Sequence, residues 1–249
     1  MSEFQQENRR RTRRYAIVFA GLFLVLLLIF YANVSVGTVA LRGDLVSQTI
    51  LWRIRLPRVC LAMILGGALA LSGFLLQTFF ENPIAGPYIL GISSGAKLTV
   101  TLSMLLTLTQ LRTTSAAINV VAAFIGALLS TGFILLISKR VQHMASILIG
   151  GIMIGYVASA ITDFLITFAE DADIVNLHGW SLGSFSGADW TDVRVSLAVV
   201  GVTMALIFAM SKQIGAFRLG EGYARSLGVD VRRFRTILIL LSSILSATV

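Results

Sequence analysis

Charge, cysteine, histidine and proline are all scarce in this chain. Its 249 residues include one Cys, two His and three Pro, and charged residues make up only 13%. A single cysteine, Cys60, excludes an intrachain disulfide. With no paired Cys and no His-Glu-x-x-His run, neither a structural zinc site nor a metalloprotease is supported. No Gly-x4-Gly-Lys-Ser/Thr loop occurs, so the chain does not carry the phosphate cradle of an ATPase. The segment Gly91-Ile-Ser-Ser-Gly95 meets the nucleophile-elbow pattern, and Ser94 to Lys97 meets Ser-x-x-Lys. Neither follows a buried strand, and the histidines His143 and His178 fall on opposite sides of the membrane in the threading below. We therefore expect no catalytic residue, no cofactor and no metal.

What the chain has is apolar length. Hydrophobic residues make up 56% and mean hydropathy is +0.86, which places it outside the soluble class. The formal net charge of +8 is laid out in short runs between apolar segments, the pattern of membrane topology rather than of nucleic-acid binding. Residues 1–14 end in five arginines within six positions, and the apolar run that follows has no small-residue cleavage site. It reads as an anchor with a cytoplasmic basic tail. Helical spans are expected at about 15–31, 57–80, 90–109, 114–137, 147–168, 193–210 and 234–249, with a cytoplasmic loop at 212–233. Lys139, Arg140, Lys212, Arg218, Arg225, Arg232, Arg233 and Arg235 then fall inside with the N-terminal arginines, which supports an internal N-terminus. The external cluster Arg53, Arg55 and Arg58 runs against that rule.

All three prolines, Pro57, Pro83 and Pro87, lie between Trp52 and Lys97. Within this stretch the 22 uncharged residues from Val59 to Phe80 can span a bilayer. Gly66, Gly67 and Gly73 offer close approach to neighbouring helices, and Gln77 requires a partner or a water-lined face. Glu81 to Pro87 cannot be helical throughout, and a break beside the membrane is tolerated only in water or against a protein cavity, so this region reads as a pathway wall. The ordered series Arg55-Leu-Pro-Arg58, Gly66-Gly-Ala-Leu-Ala-Leu-Ser-Gly73, Gln77, Glu81-Asn-Pro83 and Leu90-Gly-Ile-Ser-Ser-Gly95 resembles the FecCD/BtuC-type permeases. Those are membrane subunits of bacterial ABC importers for iron-siderophores, haem and vitamin B12.

The resemblance implies an all-α polytopic membrane protein, a BtuC-like helical bundle in one permease domain over 1–249. About seven of ten expected spans are present, as in a permease truncated at its C-terminus. It implies a bacterial inner-membrane location and import of an iron(III)-siderophore, or of haem or cobalamin. The implied partners are two ATP-binding subunits, a second permease copy or paralogue, and an extracytoplasmic substrate-binding protein; nucleic acid is not among them. Arg55 and Arg58 match the arginines that dock the binding protein. Asn82 and Ile84, with Met144 and Ala145, match the cytoplasmic gate. Leu219, Gly220, Glu221, Ala224, Arg225, Leu227 and Gly228 match the helix that couples to the ATPase, although Gly222 and Tyr223 replace its usual acidic pair. From spacing alone, Glu221 and Arg225 stand at i, i+4, Gly228 suits a left-handed terminator, and Asp230 suits an N-cap. Lys97 and Asp163 are the ionisable residues inside spans; Lys97 is read as snorkelling inward, and the two are not expected to pair. The rival class, an ion-coupled secondary transporter, should show paired mid-membrane carboxylates, and only Asp163 comes near that.

Overall fold

A backbone in hydrocarbon finds no water, so each N–H and C=O must be satisfied inside its own helix or within a closed barrel. In the computed structural model, which describes residues 3–37, 45–111, 116–141 and 144–249, every regular element is helical. Five helices among the described residues are long and apolar enough to cross a membrane: Glu7–Ser35, Leu45–Phe80, Ile118–Ser138, Ala145–Ile166 and Trp190–Ala209. A sixth apolar helix, Ile92–Leu106, is shorter. The chain is an all-α polytopic membrane protein. His143, Arg42, Asp44 and Arg112 lie outside the described residues, as does the side chain of Met144. The chain divides into two compact units, residues 1–62 with 186–193 and residues 63–185 with 194–249.

In the first unit, α1 (Glu3–Ser35) is apolar over its later turns and exposed there, as suits a helix surrounded by lipid. The helix α2 (Leu45–Ile50) runs without a break through a π-helical turn, Leu51–Arg55, into α3 (Leu56–Phe80). The wide turn has a local cause. Pro57 has no N–H and its ring crowds the carbonyl four residues earlier, so a turn closed from Leu56 N–H to Leu51 O relieves it. In that pattern the Trp52 carbonyl would accept from residue 57, which has nothing to donate. Trp190 Nε1 supplies the missing bond to Trp52 O at 2.8 Å. Trp190 opens α8 (Trp190–Ala209), where Asp189 Oδ1 accepts from Thr191 N and Asp192 N while Asp192 Oδ2 accepts from Asp189 N, a reciprocal capping box.

The second unit holds the rest of α3 and the turn after it. Glu81 takes φ +50°, Asn82 Oδ1 accepts from Ile84 N at 3.0 Å, and a 3₁₀ turn at Pro87–Leu90 leads back to Gly91 at φ +67°. Then follow α4 (Ile92–Leu111), α5 (Ala116–Arg140), α6 (Met144–Ile166), α7 (Asp171–Leu182), the body of α8, α9 (Ser211–Phe217), α10 (Glu221–Ser226) and α11 (Val231–Thr248). The core is one apolar cluster that includes Leu75, Phe79, Leu90, Ile134, Ile147 and Leu238. Close approach sets the helix pairs. A Cβ on Gly126 of α5 would lie 2.2 Å from Gly95 O of α4, and one on Gly91 would lie 2.8 Å from Gly155 N of α6. Beside these contacts Thr99 Oγ1 donates to Ala122 O at 2.6 Å and Ser159 Oγ donates to Ser94 Oγ at 3.3 Å. Ser72 of α3 and Ser242 of α11 exchange hydroxyl and carbonyl bonds in both directions, fully buried. The glycines of α3 do not behave as expected from their type. Among the described residues, nothing lies within 4 Å of a Cβ built on Gly66, Gly67 or Gly73.

Candidate functional site

The segment between α8 and α11 gathers most of the predicted residues. It folds as two short helices, α9 and α10, with Gly220 at φ +113° before α10 and Gly228 at φ +83° after it. Side chains avoid that backbone region, so glycine is required at both ends. Asp230 caps α11, accepting from Arg233 N at 3.1 Å. Arg225 Nη2 reaches Glu221 Oε2 at 3.6 Å, as the i, i+4 spacing implies. The side chains of α10 and of the residues flanking it differ in exposure. Ala224 is fully buried in the chain's own core, whereas Leu219, Tyr223 and Leu227 are exposed. Of the residues predicted to couple, Ala224 therefore packs within this chain. Tyr223 lies on the short helix itself, and Leu219 and Leu227 lie just before and just after it.

A contact absent from the sequence reading ties this helix down. Arg235, from the first turns of α11, donates through Nη2 to Glu221 Oε1, and both side chains are largely shielded from solvent. Arg235 lies 14 positions beyond Glu221, so no local periodicity announces the pair.

The proline turn carries Asn82, half-buried with its side chain closing the turn, and Ile84, which is 81% exposed. Ala145 is exposed in the first turn of α6. Lys97 is half-buried, Asp163 is exposed, and no ion pair joins them.

In the first unit Arg55 and Arg58 are committed to their own chain. Arg55 Nη1 donates to Val34 O at 2.8 Å and Ser35 O at 3.2 Å, closing the C-terminal end of α1. Arg58 Nη2 donates to Ser186 O. Arg53 is exposed and makes neither a hydrogen bond nor an ion pair among the described residues. No group of His, Cys, Asp or Glu that could hold a metal occurs among the described residues.

An apolar multi-pass bundle with a re-entrant proline turn and a glycine-bounded helix between two long helices defines a class, the transport permeases. The FecCD transport family matches residues 17–249, and the chain belongs to that family. It is 32% identical over 243 residues to the vitamin B12 import system permease protein BtuC of Pectobacterium atrosepticum, covering 96% of this chain and 71% of that one. It is 33% identical over 237 residues to the BtuC of Klebsiella pneumoniae, covering 94% and 70%. A solved structure described as an inward-facing conformation of a metal-chelate type ABC transporter superposes with a TM-score of 0.84 at 25% identity, over 94% of this chain and 75% of that one.

Proposed function

We propose that this chain is the membrane-spanning permease subunit of an ATP-driven importer in a bacterial inner membrane, with its N-terminus in the cytoplasm. It would pair with a second permease, with two ATP-binding subunits inside, and receive a metal chelate from an extracytoplasmic binding protein. The observation that carries the reading is the family match across 17–249 over a bundle of apolar helices. An iron(III)-siderophore is the cargo we assign. Cobalamin is the second reading, favoured by relatives named for vitamin B12 import.

Within this reading α10 faces the ATP-binding subunit, presenting Leu219, Tyr223 and Leu227, with Glu221 and Arg225 fixing its orientation. Asn82, Ile84, Met144 and Ala145 form the cytoplasmic gate. Arg55 and Arg58 belong to the docking patch for the binding protein, with Arg53 offering the uncommitted charge.

The test is Leu227→Asp. Leu227 is 59% exposed and outside every apolar span, so the variant should insert normally. An unpaired carboxylate forced into a subunit contact costs several kcal/mol, about a hundredfold or more in affinity. Copurification with the ATP-binding subunit should be lost. Copurification and transport at the unsubstituted level would end the assignment of α10.

A further inference from the structure

Where a membrane helix reaches the end of the hydrocarbon, apolar side chains give way to polar ones within a turn or two. At one such level, between α3, the end of α8 and α9, the structure holds a groove of about 280 Å³. That is far more than a single water needs. Its walls are apolar: Leu71 and Phe74 of α3, Met204, Ile207 and Phe208 of α8, and Ile214 of α9. Met204 and Phe208 are exposed, so the groove opens sideways, where a spanning helix meets acyl chains. Met204, Ile207 and Phe208 belong to the last turns of the span Trp190–Ala209, whereas Ser211 and Arg218, which also line the groove, come after it. The groove therefore crosses from apolar surroundings to their polar border.

Charge narrows the choice of lipid. Arg218 Cζ lies over the Phe74 ring, 5.8 Å from its centre, a cation–π contact that joins the end of α9 to α3. The Arg218 side chain is exposed, and no Asp or Glu among the described residues pairs with it. A guanidinium held over a ring keeps its N–H edge for a phosphate, which it can grip with two donors. Lys212, beside the groove-lining Ser211, is exposed and adds a second positive charge. No acidic residue among the described ones lines the groove. An apolar slot below unpaired cations matches acyl chains below a negative headgroup. A zwitterionic lipid would bring its own cation to the same place.

We propose that this groove binds one anionic phospholipid, with its phosphate on Arg218 and an acyl chain lying along α8 against Leu71 and Phe74. The site depends neither on the cargo nor on the ATPase contact of α10.

The experiment titrates the complete importer, in a nonionic detergent, with phosphatidylglycerol and with phosphatidylcholine, and counts retained lipid by native mass spectrometry. Phosphatidylglycerol should be held about tenfold more tightly, the size of a charge-assisted hydrogen-bond pair. Arg218→Gln should abolish that preference and leave the importer assembled, because Arg218 has no ion-pair partner among the described residues. Gly215→Leu should lower retention of both lipids. Gly215 lines the groove and a Cβ there meets nothing within 4 Å, so the added side chain fills the slot without moving a helix. A phosphatidylglycerol with a photoreactive acyl chain should label Met204 or Phe208. Equal retention of the two lipids, or unchanged retention in both variants, overturns the site. So does displacement of the lipid by inorganic phosphate at equal concentration, which would leave Arg218 a plain anion contact. A label that misses both Met204 and Phe208 would show that protein covers the groove in the complete importer, and the proposal would fall.

Discussion

Single atoms decide the helix contacts. At Gly126 a methyl group would meet the Gly95 carbonyl and Thr99 Oγ1, both at 2.2 Å and both on a packed face. The Gly95 carbonyl is backbone and cannot yield without separating α4 from α5. Gly126→Ala should destabilise the subunit by about 1–3 kcal/mol, the usual cost of overpacking, whereas Gly66→Ala, with open space around it, should be close to neutral. Thermal unfolding in detergent checks both; equal shifts would contradict the packing described. Composition predicts small residues where helices meet, but it does not say which small residues meet something. The Gly151 and Gly155 pair on α6 lies against Leu90 and Gly91, while the equally suggestive glycines of α3 meet nothing among the described residues. The difference is set by which helix lies opposite, and that is tertiary information.

At the level of elements, the wide turn at 51–55 exists because of Pro57 and is completed by Trp190, 138 positions away from the carbonyl it serves. Pro57→Ala restores a backbone N–H that can take over the Trp52 carbonyl. Trp190→Phe should therefore cost about 1 kcal/mol in the natural sequence and measurably less beside Pro57→Ala. A double-mutant cycle on thermal stability measures this, and strict additivity would show that the two are unrelated. Local chemistry made several elements readable: Asp230 as a cap, Gly228 as a terminator and the break after Phe80 all follow from residue type and short spacing. Arg55 was not readable in this way. It donates to the carbonyls that end α1, a bond between residues about twenty positions apart that no local pattern predicts. Arg235 and Glu221 escaped notice for the same reason.

For the whole molecule, the family match and the apolar bundle make a transport permease, and the proposed assembly determines what else should be seen. If the 53–58 region meets an acidic binding protein, Arg53→Glu should slow association about tenfold at low salt and little at high salt, as rim charges act mainly on encounter. Arg55→Glu and Arg58→Glu carry a structural cost as well, so their association rates need comparison with their thermal stability; an unaltered rate in Arg53→Glu would remove that residue from the patch. The central claim is that transport through this subunit is driven by ATP hydrolysis in a partner. Its most direct test is uptake of labelled ferric siderophore and labelled cobalamin, in competition, into proteoliposomes holding the complete importer. We predict accumulation of one chelate that requires internal-face ATP and binding protein, survives a protonophore, and stops when Ile84→Cys and Met144→Cys are crosslinked. Uptake that proceeds without ATP and collapses with the ion gradient would contradict the account.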